Sequence, residues 1–167
     1  MSQTSVIEQG VARSGLLADL GLREMLSFSA ETAIPFGLFV VRGTDMDKQC
    51  KLPAAATDVT DRKKGLGVAV ALQTLEVPLM GTADPQYLKD FTVAVLTFGR
   101  IWVPTEDDAT DESKSVYVRH TVDAALTKIG GFSASAGAGL SVLSNARWMG
   151  EDVTVDGTRL AQLEVRL

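Results

Sequence analysis

The chain has 167 residues, 16 Lys and Arg against 21 Asp and Glu, and a formal net charge of −5. That length suffices for one domain that buries roughly 70% of its unfolded surface and folds without covalent staples. The charge argues against a nucleic-acid backbone as partner, because such binding draws its affinity from clustered Lys and Arg, and the single cysteine, Cys50, excludes an intrachain disulfide and a thiolate metal cluster within one chain.

The N-terminus, "MSQTSVIEQG", has neither the basic start nor the apolar run of a signal peptide, and no stretch approaches the ~20 apolar residues of a membrane span. The expectation is a protein made and used in solution. Residues 1–23 read as an N-terminal arm. A short helix is predicted over 14–20, with Ser14 as cap, Gly21 as stop and Leu16, Leu17 and Leu20 on one side.

From residue 24 onward, short β-like runs alternate with turn signals. Strands are predicted over 25–30, 36–42, 65–72, 91–103, 115–120, 147–149 and 160–167, separated by "IPFG", "RGTD", "GTADP" and "GGFSASAGAG". The spacing points to an all-β domain over 24–167, a β-barrel or jelly-roll-like sandwich, rather than to βαβ units.

The run over 91–103 is about twice the usual ~5–6 residues of a strand. Val93, Val95 and Thr97 alternate with Ala94, Leu96 and Phe98, so both faces are apolar and the strand belongs between two layers. Gly99 suggests a bulge or a barrel corner that lets one strand serve two sheets. Beyond it Ile101 and Val103 point one way, Arg100 and Trp102 the other, and Pro104 ends the ladder for want of an N–H. The alternative, a hairpin turning at Phe98-Gly99, lacks the Asn-Gly or Asp-Gly that two-residue turns favour.

The residues that could carry chemistry are few. His120 is the only histidine, so no His pair for a metal exists, and neither G-x-S-x-G nor H-E-x-x-H occurs. His120 reads as a strand-end residue bonded to backbone or water. The acidic loop "EDDATDESK", 106–114, offers Asp107, Asp111 and Glu112 as hard oxygen ligands, but it lacks the glycine and spacing of an EF-hand and reads as a solvated loop. "TDMDK" at 44–48 reads the same way. The segment "IGGFSASAGAGLS" has no lysine for a phosphate and no G-x-G-x-x-G, and is expected to be a flexible loop. Cys50 has no neighbouring base in sequence to make it a nucleophile. No catalytic residue, metal or cofactor is assigned. The absence of an acid–base pair on a rigid element favours a binding or structural role.

One ordered set of motifs goes further. "AIPFGLFVVRGTDMDKQCKLPAAATD" at 33–58 is followed by "GLGVAVA", "VAVLTFGRIWVP", "SVYVRHT", "ARW" at 146–148 and a closing "LAQLEVRL". The set resembles the cement, or decoration, proteins that coat the heads of tailed bacteriophages, in which an I-P-F-G strand leads to V-x-x-G, an x-L-P segment, L-G-V-A, a V-x-x-x-G-x-I-W-V strand, V-Y-V-R and A-R-W. The chain departs from the family pattern before V-Y-V-R, where "DESKS" replaces a glycine-containing turn such as G-D-P. The resemblance covers residue 24 to the C-terminus.

It implies a β-barrel or jelly-roll body in the virion, bound to the outside of the capsid after synthesis in the host cytoplasm. The implied partner is the major capsid protein, and self-association as a homo-oligomer is expected beside it, with no nucleic acid and no membrane. On this reading the arm supplies candidate capsid or oligomer contacts, Val6, Ile7, Val11, Leu16, Leu17 and Leu20, because apolar residues ahead of a regular body can order on a neighbour or extend its sheet. The alternative is that the arm packs on its own barrel. Two other classes stay open at this point: a different structural virion protein, of the tail tube or head–tail junction, and an enzyme on a small β-barrel, which would need a pocket of convergent polar groups.

Overall fold

A computed structural model describes residues 12–18, 21–71, 85–107, 111–122, 128–155 and 157–167. In chain order the elements are β1 (Glu24–Ala30), β2 (Ile34–Pro35), β3 (Phe39–Arg42), β4 (Gln49–Lys51), α1 (Ala56–Thr60), β5 (Gly65–Ala69), β6 (Gln86–Tyr87), β7 (Thr92–Pro104), β8 (Tyr117–Arg119), β9 (Phe132–Ser133), β10 (Leu140–Val142), β11 (Ala146–Val155) and β12 (Thr158–Arg166).

The main sheet runs β1-β4-β3-β5-β7-β12-β11, and β1 also pairs with β7. That pairing closes β1-β4-β3-β5-β7 into a barrel, while β12 and β11 continue the sheet beyond it. The barrel is therefore the branch of the expected fold that is observed. β7 makes it possible. Its first half pairs with β1 and β5, and its second half pairs with β12 from Phe98↔Arg166 to Pro104↔Leu160.

The irregularity expected at Gly99 falls two residues earlier. Against β7, Glu24 sits opposite Phe98 and Met25 opposite Leu96, which leaves Thr97 as the extra residue of a bulge. The bulge inverts the in–out alternation, so Val93 and Val95 face one core and Leu96, Ile101 and Val103 face the other. The strand passes straight through Phe98-Gly99, and no hairpin forms there. It ends at Pro104, as predicted, although the N–H of Thr105 donates once more to Arg159 O.

Two cores follow from this arrangement. The barrel interior holds Phe28, Ala30, Val40, Cys50, Val93 and Val95, joined by Ile34 and Tyr87 of the β2–β6 pair. The Tyr87 hydroxyl donates to Val70 O at 2.5 Å, so the ring is buried without an orphaned polar atom. The second core lies between the sheet's other face and the small sheet β10-β8-β9. Phe39, Val41, Val68, Leu96, Ile101 and Leu163 meet Val118, Phe132 and Trp148 there. The Trp148 indole stands edge-on to Phe132 at 6.5 Å between centroids and donates to Ser115 O at 3.3 Å. Each such side chain contributes about 1.5–3 kcal/mol by leaving water.

Three local expectations are corrected, and two short elements are added. Residues 14–18 form a turn and an extended bridge, Leu17↔Ile101, in place of a helical turn; Leu20 lies outside the described residues. The backbone of β7 takes these residues as pairing partners, and three or four apolar residues carry too little helix propensity to compete. The glycine-rich segment is packed rather than loose: Phe132, Ser133 and Ala134 are buried, and both β9 and β10 arise from it. The short β4 and the five-residue α1 were not anticipated, since "QCK" and "ATDVT" are too brief to show a period. Finally, β11 is ten residues long instead of three, continued past an irregularity between Trp148 and Asp152.

Candidate binding surface

The face of β7, β12 and β11 that points away from the second core is the outer surface of the sheet extension. Residues directly opposite on paired strands, and residues two apart on one strand, share a face. Phe98, Arg100 and Trp102 of β7 therefore lie beside Arg166, Glu164 and Gln162 of β12, and Arg147 of β11 lies beside Glu164.

One end of this face is covered by the chain itself. Ala12, Leu16 and Ala18 pack against Trp102, Leu160, Val153 and Val155, and Ala12 is fully buried. Backbone bonds hold the segment down: Gly15 N donates to Trp102 O at 2.8 Å, Trp102 N to Leu16 O at 2.9 Å and Ala18 N to Arg100 O at 3.0 Å. Leu17 turns the other way and packs against the second core. The segment is also threaded under the turn after β2, where Gly15 and Gly37 cross with φ of +78° and +79°. A Cβ on Gly37 would stand 2.7 Å from Gly15 N, and one on Gly15 would stand 2.9 Å from Gly37 N, so neither position has room for a side chain. Ser14 Oγ completes the clasp by donating to Phe36 O at 2.5 Å.

The other end is open and built around Glu164. Its carboxylate is 8% exposed and receives three arginines: Arg100 Nε at 3.4 Å and Arg147 Nη2 at 3.1 Å on Oε2, and Arg166 Nε at 2.6 Å on Oε1. Burial alone would raise the Glu164 pKa, but the hydrogen bonds and charges of Arg147 and Arg166 prevail and hold it below the usual carboxylate range. The guanidinium side chains remain 41%, 53% and 60% exposed, and Phe98 beside them is 39% exposed.

Elsewhere, charged side chains serve the fold. Arg119, 3% exposed, grips Glu106 with two bonds, Nε to Oε1 at 2.6 Å and Nη2 to Oε2 at 2.8 Å. Asp107 Oδ2 accepts from the N–H groups of Ala134 and Ser135 at 2.6 and 2.9 Å and from Ser133 Oγ at 2.5 Å. The first residues of the acidic loop are thus tied to β8 and to the segment after β9. Asp111 accepts from Ser113 N at 2.9 Å. Among the described residues no group of three His, Cys, Asp or Glu side chains is placed to hold a metal ion. His120 donates its N–H to Gly139 O, and its Nδ1 lies 2.9 Å from Thr121 Oγ1, a strand-end arrangement as expected. Burial, then the charge of Glu31, pushes the Cys50 thiol up to about 12, so it is a core side chain and not a thiolate at neutral pH.

Of the six arm residues selected in the sequence, Leu16 and Leu17 are half-buried against the molecule's own clusters, while Val6, Ile7, Val11 and Leu20 lie outside the described residues. Arg119 meets the acidic loop at Glu106, Arg100 and Arg147 meet a strand carboxylate, and Arg42 donates to Met46 O and lies 5.8 Å over the Phe28 ring. Glu164, Arg166 and Phe98 were not selected. Their signal is period-2 alternation, since "EVR" puts Glu164 and Arg166, and "FGR" puts Phe98 and Arg100, on one face of a strand.

The family model described as "Structural cement protein (E217 gp24/Pam3 gp6)" matches residues 2–166. The chain belongs to the phage structural cement protein family. No curated protein matches it. Among solved structures, a chain of "The capsid of Myoviridae Phage XM1" has the same fold, with a TM-score of 0.66 at 18% identity over 98% of this chain and 97% of that one. As a phage cement protein, the molecule is a virion component that associates with the capsid shell, and its role is structural rather than enzymatic. The tail and enzyme alternatives are thereby set aside. No helix of the cement protein, among the described residues, is long and apolar enough to cross a membrane.

Proposed function

We propose that this cement protein binds the outer surface of the capsid across seams between neighbouring capsomers, contacts the major capsid protein, and stabilises the mature head against the outward pressure of packaged DNA. The family match over residues 2–166 carries the reading. The physical mechanism is additive. A rigid body bridging two capsomers contributes attractive contacts that are lost if the seam opens, and repetition over the lattice multiplies them. In a homo-oligomer the second contact becomes intramolecular, which raises avidity by ~10²–10⁴ without new chemistry. Synthesis in the host cytoplasm completes the reading.

The arm contributes unevenly. Leu16 and Leu17 are engaged with their own molecule, so the arm's share of the capsid or oligomer contact falls to Val6, Ile7, Val11 and Leu20. The test is cosedimentation of the purified protein with mature capsids lacking it, followed by a heat challenge. Saturable binding that raises the temperature of head rupture is expected; a protein left in the supernatant contradicts the reading. Deleting residues 1–11 is expected to weaken binding while leaving the thermal unfolding of the free protein unchanged. Deletion to residue 22 does not make this distinction, because it also strips the clasp at Gly15.

A further inference from the structure

We propose that the open end of the β7–β12–β11 face, Phe98 with Arg100, Arg147 and Arg166 around Glu164, is the surface that docks on the capsid shell, and that it receives a carboxylate-bearing, partly apolar feature of the capsid protein. This deepens the proposed function and rests on it.

Glu164 needs one well-placed guanidinium to be neutralised, yet three converge on its two oxygens. The cluster of three guanidinium groups and one carboxylate carries a charge of +2 within a chain of −5. Crowding like charges on a wet face is unfavourable unless something offsets it, and Glu164 offsets only one of them. What the arrangement does supply is orientation. Anchoring the guanidinium groups on one carboxylate restrains long side chains that stay substantially exposed, with a planar fork that suits a second carboxylate. Less side-chain freedom is then lost on docking. Phe98 adds an apolar anchor at the cluster's edge, and aromatic–arginine composition is what interface centres are enriched in.

Charge decides among occupants. Glu24 opposite Phe98, Glu112 near Arg147, and Glu151 bonded to Gln162 set carboxylates around the cluster as an acidic rim. A positive centre with an acidic rim repels a continuous polyanion but fits a protein surface that places carboxylates at its own centre. A second copy docked with its two-fold axis through the arginine cluster would set arginines against arginines, which disfavours that arrangement. Among the described residues, 12–18 fill the neighbouring apolar half of the face and leave the arginine half exposed.

The experiment is capsid cosedimentation with wild type, Arg147→Glu/Arg166→Glu, the milder Arg147→Gln/Arg166→Gln, and Phe98→Ser, each first shown to melt like wild type. Both arginines are more than half exposed and Arg100 still faces Glu164, so the neutral pair is expected to keep the fold even if the charge-reversed pair is destabilised. The charge-reversed pair is expected to lose affinity by about tenfold or more, the neutral pair by less, and wild-type binding is expected to weaken with salt. Wild type binding while both arginine variants bind equally well overturns this docking surface and leaves the cement reading intact. Variants that bind capsid normally but no longer self-associate overturn it in favour of a copy-to-copy contact. Failure of wild type itself to bind removes both readings.

Discussion

Arg119 lies with its guanidinium almost wholly inside the protein, and its two bonds to Glu106 join β8 to the start of the acidic loop. Removing one partner leaves the other buried and unpaired, which costs more than the pair contributes. Arg119→Met is therefore expected to destabilise the cement protein by about 3–5 kcal/mol in urea unfolding, and adding Glu106→Leu is expected to restore a large part of that loss. Glu164 makes a pH-dependent contribution. Its folded pKa lies below the ordinary 4.5, so the stabilisation is present above that value and fades as pH falls through the folded pKa. Glu164→Gln is expected to flatten this part of the acid limb, and melting temperature followed from pH 7 downward, in variant and wild type, measures it.

The N-terminal segment is the element whose role most needed three dimensions. Residues 12–18 lie along the same edge of β7 as β1, cover Trp102 and pass beneath the turn at Gly37. Gly37→Ala is expected to cost about 1–3 kcal/mol, from positive φ and from a Cβ forced onto the Gly15 amide. Deleting residues 1–18 is expected to uncover Trp102 and shift tryptophan emission to the red, whereas deleting 1–11 leaves it unchanged. Equal spectra for the two deletions would contradict the clasp. The sequence presented these leucines as a helix face; the structure pairs them as an edge, because β7 offers unpaired backbone groups that a two-turn helix would leave unused.

At the scale of the whole molecule, β7 makes the two cores one folding unit. Its first half lines the barrel interior and its second half floors the other core, so neither can open without breaking the same strand. Equilibrium unfolding is expected to be a single transition, with near-UV and far-UV circular dichroism coincident in urea; two separated midpoints would show that the cores are independent. Such a body suits the bridging of capsomers proposed above.

Composition and period by themselves determined the all-β class and the long two-faced strand with Ile101 and Val103 opposite Trp102; the ordered motifs added the cement family. These are properties of short stretches, where alternation of side chains dictates which face is apolar. Only the tertiary structure decided that the barrel closes through β1 and β7, that the glycine-rich segment is packed, and that Leu16 and Leu17 are engaged with their own body. It also brought Arg100, Arg147 and Arg166 to one carboxylate. Those facts depend on strand register between residues as far apart as Arg100 and Glu164, and register is set by how faces pack together, which no local window records.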